Sequence, residues 1–241
     1  MKKKNLTTLT VLLIIGLIII FTRCEKDTPL DKIVIPLPDS VIKFNPNLTY
    51  ETVTDIDGNV YKTVIIKGKT WMAENLKVTH YRNGDAIPNV TDSAAWYKLT
   101  TGAYCDYLNT PGISKVYGRL YNEKAIFDSR NLAPAGWHVA SIEELRATVD
   151  MYDQYGKLKE TDTLHWKSPN IGATNETGFT ALPSGYRAAN GGFSGIGEFC
   201  YYFGSSIGTY RYNLHYNSDR LNGTYGGGVA NIAMSVRCVK D

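Results

Sequence analysis

Beyond Gly178 no apolar run lasts more than a few residues before Gly, Asn or Ser breaks it, most heavily at Gly191-Gly192 and Gly226-Gly227-Gly228. Such punctuation predicts short strands and long loops. The end is clearer, because Met234, Val236 and Cys238 alternate with Ser235 and Arg237 at period two, as in a half-buried strand. Upstream, Asp55, Asp57, Gly58 and Asn59 form a turn cluster feeding the β-branched run Val60 to Ile66, and Gly68-Lys69 turns the chain into Thr70, Trp71 and Met72. The D-x-D-G-N string lacks the bidentate Glu at the twelfth position of an EF-hand loop, so turn chemistry is the better reading.

Helices are few. Ser141 with Glu144 three residues on makes a capping box, and Ile142, Leu145, Val149 and Tyr152 form an apolar stripe behind it. A weaker helix is expected over Tyr117 to Phe127, with Gly118 against it. The expected fold class is α+β, a single domain with short, mostly antiparallel strands, one or two helices and long loops.

The N-terminus sets the compartment. Lys2, Lys3 and Lys4 precede the apolar run Val11 to Phe21, the order of a secretory signal over residues 1–23. The run is shorter than the roughly 20 residues of a spanning helix. Counted from Leu6 it comes close, so an uncleaved anchor is the alternative. Cys24, followed by Glu25, Lys26 and Asp27, resembles the lipobox cysteine of bacterial lipoproteins, although Phe21, Thr22 and Arg23 depart from the small residues usual there. Glu25 and Asp27 also resemble a surface-export signal of some bacterial groups. The expected location is the cell envelope, as an outer-membrane lipoprotein open to surface display.

Four of the 26 basic residues (Lys2, Lys3, Lys4 and Arg23) precede Cys24, leaving 22 against 23 acidic residues in the exported part. Near-neutrality argues against nucleic acid as a partner, since phosphate binding needs clustered positive charge. Residues 24–50 hold Pro29, Pro36, Pro38 and Pro46 among charged residues, which suits a semi-extended spacer. From Glu51 to Asp241 about 190 residues remain, enough for one domain. Beyond Cys24 the thiols are Cys105, Cys200 and Cys238, too far apart for C-x-x-C chemistry. One disulfide and one free thiol is the expectation outside the cytoplasm, with Cys238 in the bridge and its partner open.

Six strings stand in order: Asp55-Ile-Asp-Gly-Asn-Val-Tyr-Lys-Thr-Val64, Trp71-Met-Ala-Glu-Asn-Leu76, Tyr117-Gly-Arg-Leu-Tyr-Asn122, Gly136-Trp-His-Val139, Thr174-Asn-Glu-Thr-Gly-Phe179 and Ser235-Val-Arg-Cys-Val239. Their order and spacing resemble the Fibrobacter succinogenes major paralogous domain across nearly the whole exported part. The resemblance implies a surface or secreted lipoprotein domain related in fold to C-type lectin-like and sulfatase-modifying-factor-like domains, with a role in adhesion or carbohydrate contact. It supplies no catalytic residues. Members often carry a cysteine before the Gly-Trp-His-Val string, where this chain reads Leu132-Ala-Pro134, so the resemblance implies that the bridge to Cys238 comes from Cys200 or Cys105 instead. The calcium-holding Glu-Pro-Asn and Trp-Asn-Asp strings of lectin-like relatives do not occur, so sugar binding is expected to be calcium-independent.

Catalytic constellations are missing from the pattern. His80, His138, His165 and His215 are scattered singly with no H-E-x-x-H, and Gly192-Phe-Ser-Gly-Ile196 lacks the last glycine of a nucleophile elbow. Glu74, Asp106, Glu176 and Glu198 are the carboxylates from which a glycosidase pair would be drawn. No cofactor motif and no metal site are read. The paired cysteines of the sulfatase-modifying relatives have no counterpart, so that oxidation is not carried over.

The informative excess is aromatic: 17 Tyr and 4 Trp against 7 Phe, rings that bury an edge and keep a polar tip. Trp71 and Trp137 are assigned to the core. Tyr186-Arg187, Tyr201-Tyr202, Tyr210-Arg211-Tyr212 and Tyr216-Asn217 combine flat rings with polar groups and are the candidate ligand-binding residues. The expected function is a non-catalytic surface module for adhesion or for carbohydrate binding. A structural or assembly subunit with an envelope-protein partner is the second reading. A glycan-active enzyme is the third.

Overall fold

The computed structural model of the chain describes residues 41–151, 153–205, 210–221, 224–225 and 231–241. The signal segment, Cys24, most of the predicted spacer, Tyr152 and Gly226-Gly227-Gly228 lie outside the described residues. Among the described residues no helix is long and apolar enough to cross a membrane.

Two sheets form the α+β frame. The first is antiparallel throughout and runs β1 (Glu51–Thr54), β2 (Val60–Ile66), β3 (Lys69–Met72), β13 (Cys238–Lys240) and β6 (Trp137–Val139). In the second, β11 (Thr224–Tyr225), β10 (Tyr210–His215), β9 (Phe199–Phe203), β7 (Ser184–Arg187), β12 (Ala233–Met234), β5 (Leu120–Asn122) and β4 (Tyr104–Cys105) lie in that order. Strand β8 (Phe193–Ile196) pairs with β7 outside that path, and among the named strands of the described residues only the β7–β9 pairing is parallel. Four short helices fill the connections: α1 (Ser93–Tyr97), α2 (Pro111–Tyr117), α3 (Glu123–Ile126) and α4 (Ile142–Arg146). Among the described residues that is more than the one or two expected, because α1, α2 and α3 are too short to print a periodic stripe.

Local chemistry explains the elements that sequence placed well. Lys67 and Gly68 both take positive φ, the conformation that closes a two-residue hairpin between β2 and β3. Asp55 Oδ1 accepts the N–H groups of Asp57 and Asn59 at 2.9 Å, while Oδ2 accepts Asn59 Nδ2 and the Tyr61 hydroxyl. The carboxylate is used up inside its own turn. Ser141 Oγ caps the Glu144 N–H and the Glu144 carboxylate returns to the Ser141 N–H, the capping box of α4.

Elsewhere packing overrode pattern. The helix expected over Tyr117 to Phe127 is broken at Gly118, which has φ 77° and abuts Asn75, and the chain continues as β5 and α3. The period-two end is not one half-buried strand. Its chain crosses from β12 to β13, and Ser235 and Arg237 are as buried as their apolar neighbours.

Residues 41–50, read as spacer, are packed on the domain. Phe44, Leu48 and Tyr50 pack against the buried cluster around Trp71, and Ile42 against that around Trp96. The Lys43 N–H donates to Glu160 Oε1 at 2.7 Å, and Asn45 Nδ2 donates to the Asn175 carbonyl at 3.0 Å. The strap is held by side chains of the domain instead of by a strand ladder, so its sequence carries no strand period.

The expected disulfide is absent from the described residues. Cys105, Cys200 and Cys238 are buried free thiols, one in each of three separate apolar clusters. Trp71 and Trp137 lie in the core as assigned.

Candidate functional site

Strands β9 and β10 pair antiparallel with Phe199 opposite His215, Tyr201 opposite Asn213 and Tyr202 opposite Tyr212. Strand alternation then sorts their side chains. Cys200, Tyr202, Tyr212 and Leu214 point into the cluster around Trp71 and are buried. Phe199, Tyr201 and His215 take the other face and stay half-buried, joined there by Tyr186 of β7.

These four rings form one strip. Tyr201 stands edge-on to Tyr186 and to Phe199, at centroid distances of 5.4 and 5.2 Å. Tyr186, Phe199 and His215 lean the same way, with interplanar angles of 31° and 35° along the row. Gly195 of β8 makes room: its φ is +82°, and a Cβ there would run into the Phe199 ring.

The predicted ligand residues thus divide. Tyr186 and Tyr201 are in the strip. Tyr202 and Tyr212 are core residues, and burial pushes their hydroxyl pKa values well above the usual range. Arg187 is also buried: it donates to the carbonyls of Gly191, Val90 and Thr91 and lies 4.3 Å over the Trp96 ring. These three are therefore corrected from ligand contacts to scaffold. Tyr210 and Arg211 open β10 through backbone pairing, and their side chains lie outside the described residues. Tyr216 packs half-buried on the Trp71 side with Lys167 5.2 Å over its ring, and Asn217 is exposed in the turn after β10.

Each glycosidase candidate is occupied by its own cation: Glu74 by Lys77 at 3.1 Å, Asp106 by Arg119 at 3.4 Å, Glu176 by Lys157 at 3.3 Å and Glu198 by Lys167 at 2.8 Å. No two of them share a partner. The histidines separate more usefully. His80 meets Asp57, His138 meets Glu144 and Asp241, and His165 meets Glu160 in a fully buried pair. His215 alone of the four has no carboxylate partner among the described residues; its ring lies against Phe199. As a lone histidine it gave the sequence reading no signal, and only the register with Phe199 exposes it. Among the described residues no group of three or more His, Cys, Asp and Glu side chains is arranged to hold a metal.

Grooves are formed at other places on the domain. One of about 300 Å³ runs between the β2–β3 turn and α4 over Ile66 and Trp71, and its rim charges Lys69 and Glu144 are already paired at 2.7 Å. What the strip offers is a shallow row of rings on a sheet face, suited to stacking against a flat or ring-shaped ligand and carrying no reactive constellation.

Comparison with curated proteins and with solved structures gives no match. The Fibrobacter succinogenes major domain model matches residues 64–240, from within β2 to the end of β13, and the chain belongs to that family.

Proposed function

We propose that the chain is a surface lipoprotein, anchored through Cys24 to the outer membrane, whose domain binds carbohydrate without catalysing its turnover. The observation that carries this reading is the strip of Tyr186, Phe199, Tyr201 and His215, four half-buried rings in contact on one sheet face. Core aromatics bury both faces; rings left half-open at sheet centre offer stacking surface. The secretory-signal pattern and lipobox-like cysteine read in the sequence support this reading, since a surface displayed on the envelope would meet envelope or environmental glycans. A distant relation to C-type lectin-like domains fits the same reading.

The test is a glycan array probed with the full chain in mild detergent, beside the Phe199→Ala variant. Binding that vanishes in the variant supports the proposal. An array on which the wild type is silent at high protein concentration removes the carbohydrate reading.

A further inference from the structure

We infer that His215 is the hydrogen-bonding residue of the aromatic strip and that the ligand it receives is a neutral carbohydrate; this rests on the binding role proposed above. His80, His138 and His165 each meet a carboxylate, whereas the His215 ring nitrogens have no hydrogen-bond partner among the described residues. Its backbone is fixed: the Lys159 ammonium donates to the His215 carbonyl at 2.9 Å. Its ring is fixed as well, 5.3 Å from Phe199.

A second observation on the same face points to a ligand. Asn213, two residues earlier and opposite Tyr201, is 2% exposed, and its Oδ1 has no hydrogen-bond partner among the described residues. A buried amide oxygen left unmet carries an uncompensated desolvation penalty, so it marks a place where a donor belongs. The Tyr186 hydroxyl likewise has no partner among the described residues. Three polar groups thus lie on the sheet face that carries the Phe199 ring, two of them on side chains whose rings touch it, an arrangement that a ring ligand with several hydroxyls satisfies.

The charges set the ligand class. Burial, chiefly, and the nearby Lys159 lower the His215 pKa, with Glu198 opposing them, so the imidazole is neutral at neutral pH. A neutral imidazole has one N–H and one lone pair, and a hydroxyl can answer either. A carboxylate or sulfate can only accept. Among the described residues the cations at hand are spent: Lys159 on the carbonyls of Ile171, His215 and Ser218, and Lys167 on Glu198.

The experiment follows the ¹⁵N-labelled histidine rings of the full chain in detergent micelles by NMR, titrated with cellohexaose, laminarihexaose and, as the acidic arm, hexagalacturonate. A neutral hexamer is expected to move the His215 signals, and Phe199→Ala to abolish the shift. His215→Phe should keep the other three histidine signals in place yet weaken binding about tenfold, the worth of one hydrogen bond. Wild-type affinity should also fall as acid protonates the imidazole, a limb absent from His215→Gln. Strip aromatics that respond while His215 stays silent, or tighter binding of hexagalacturonate, overturn the inference and leave the binding role standing. No response to any of the sugars removes both.

Discussion

Arg237 donates through Nε to Asn75 Oδ1 at 2.6 Å, and both residues are buried. The guanidinium goes on to the carbonyls of Met72, Phe179 and Thr180 and lies 4.3 Å over the Phe179 ring. Asn75 in turn donates to the Tyr117 carbonyl and Ser235 Oγ, and accepts from the Tyr202 hydroxyl. Four of the strings that carry the family resemblance meet here, those holding Asn75, Tyr117, Phe179 and Arg237. They specify a polar knot that joins the two sheets, which is why they identify the family without marking a ligand site.

That knot is a stability element with no spare partner. Asn75→Ala leaves Arg237 Nε and the Tyr202 hydroxyl unmet in the core, and is expected to cost about 2–4 kcal/mol in urea unfolding. Arg237→Lys should not recover the wild-type value, because one ammonium cannot reproduce a planar fork aimed at three carbonyls and an amide.

The three thiols are expected to be silent in the native state. Burial pushes Cys105 and Cys200 up to about 12, and Cys238 is raised by burial in the same way. An Ellman assay should find these positions unreactive until denaturant is added, and a reductant should leave the melting temperature unchanged. Prompt native labelling at any of the three, or a mass showing a bridge, would contradict the packing.

How much of this was legible follows from how local each cause is. Strand β2, the Asp55 turn and the cap of α4 depend on neighbours within a few residues, and the sequence placed all three. The break at Gly118 depends on Asn75, far away in the chain. In Phe199-Cys-Tyr-Tyr-Phe203 every residue is apolar or aromatic, so alternation exists but names no inward face; only the position of the Trp71 cluster decides that Tyr202 is core and Tyr201 is not. The strap at 41–50 was missed because Pro46 follows Pro29, Pro36 and Pro38 and reads with them as a spacer, while the partners of its apolar residues come from later in the chain.

Acid should weaken the α4 corner. Burial alone would raise the Glu144 carboxyl, but hydrogen bonds from Lys69, the Ser141 N–H and His138 outweigh it and hold the group at about 2, against an ordinary 4.5. A depressed folded-state pKa gives stability that is fully present above the unfolded value and is lost as pH falls from about 4.5 toward 2. Because the network is partly open to water, about 1–2 kcal/mol is expected. The stability gap between wild type and Glu144→Gln, measured by urea unfolding, should be open at pH 6 and closed near pH 2. A gap independent of pH would place the effect in helix capping alone.

The strap gives the last test, because its removal separates two pictures of the domain. If residues 41–50 merely link the domain to its anchor, a chain beginning at Glu51 melts like one beginning at Val41. The structure requires otherwise. Deletion uncovers the cluster against which Phe44, Leu48 and Tyr50 pack, and strips the Lys43 N–H from Glu160, whose other oxygen is held by His165 at 2.5 Å. Lost burial and one unmet buried carboxylate oxygen together should cost about 3–5 kcal/mol, or about 10 °C in melting temperature. Phe44→Ala in the intact chain should reproduce part of that loss, since it removes ring contacts with Tyr50 and Lys62 while leaving the backbone latch on Glu160 in place. Equal melting of all three chains would return the segment to the role of a spacer.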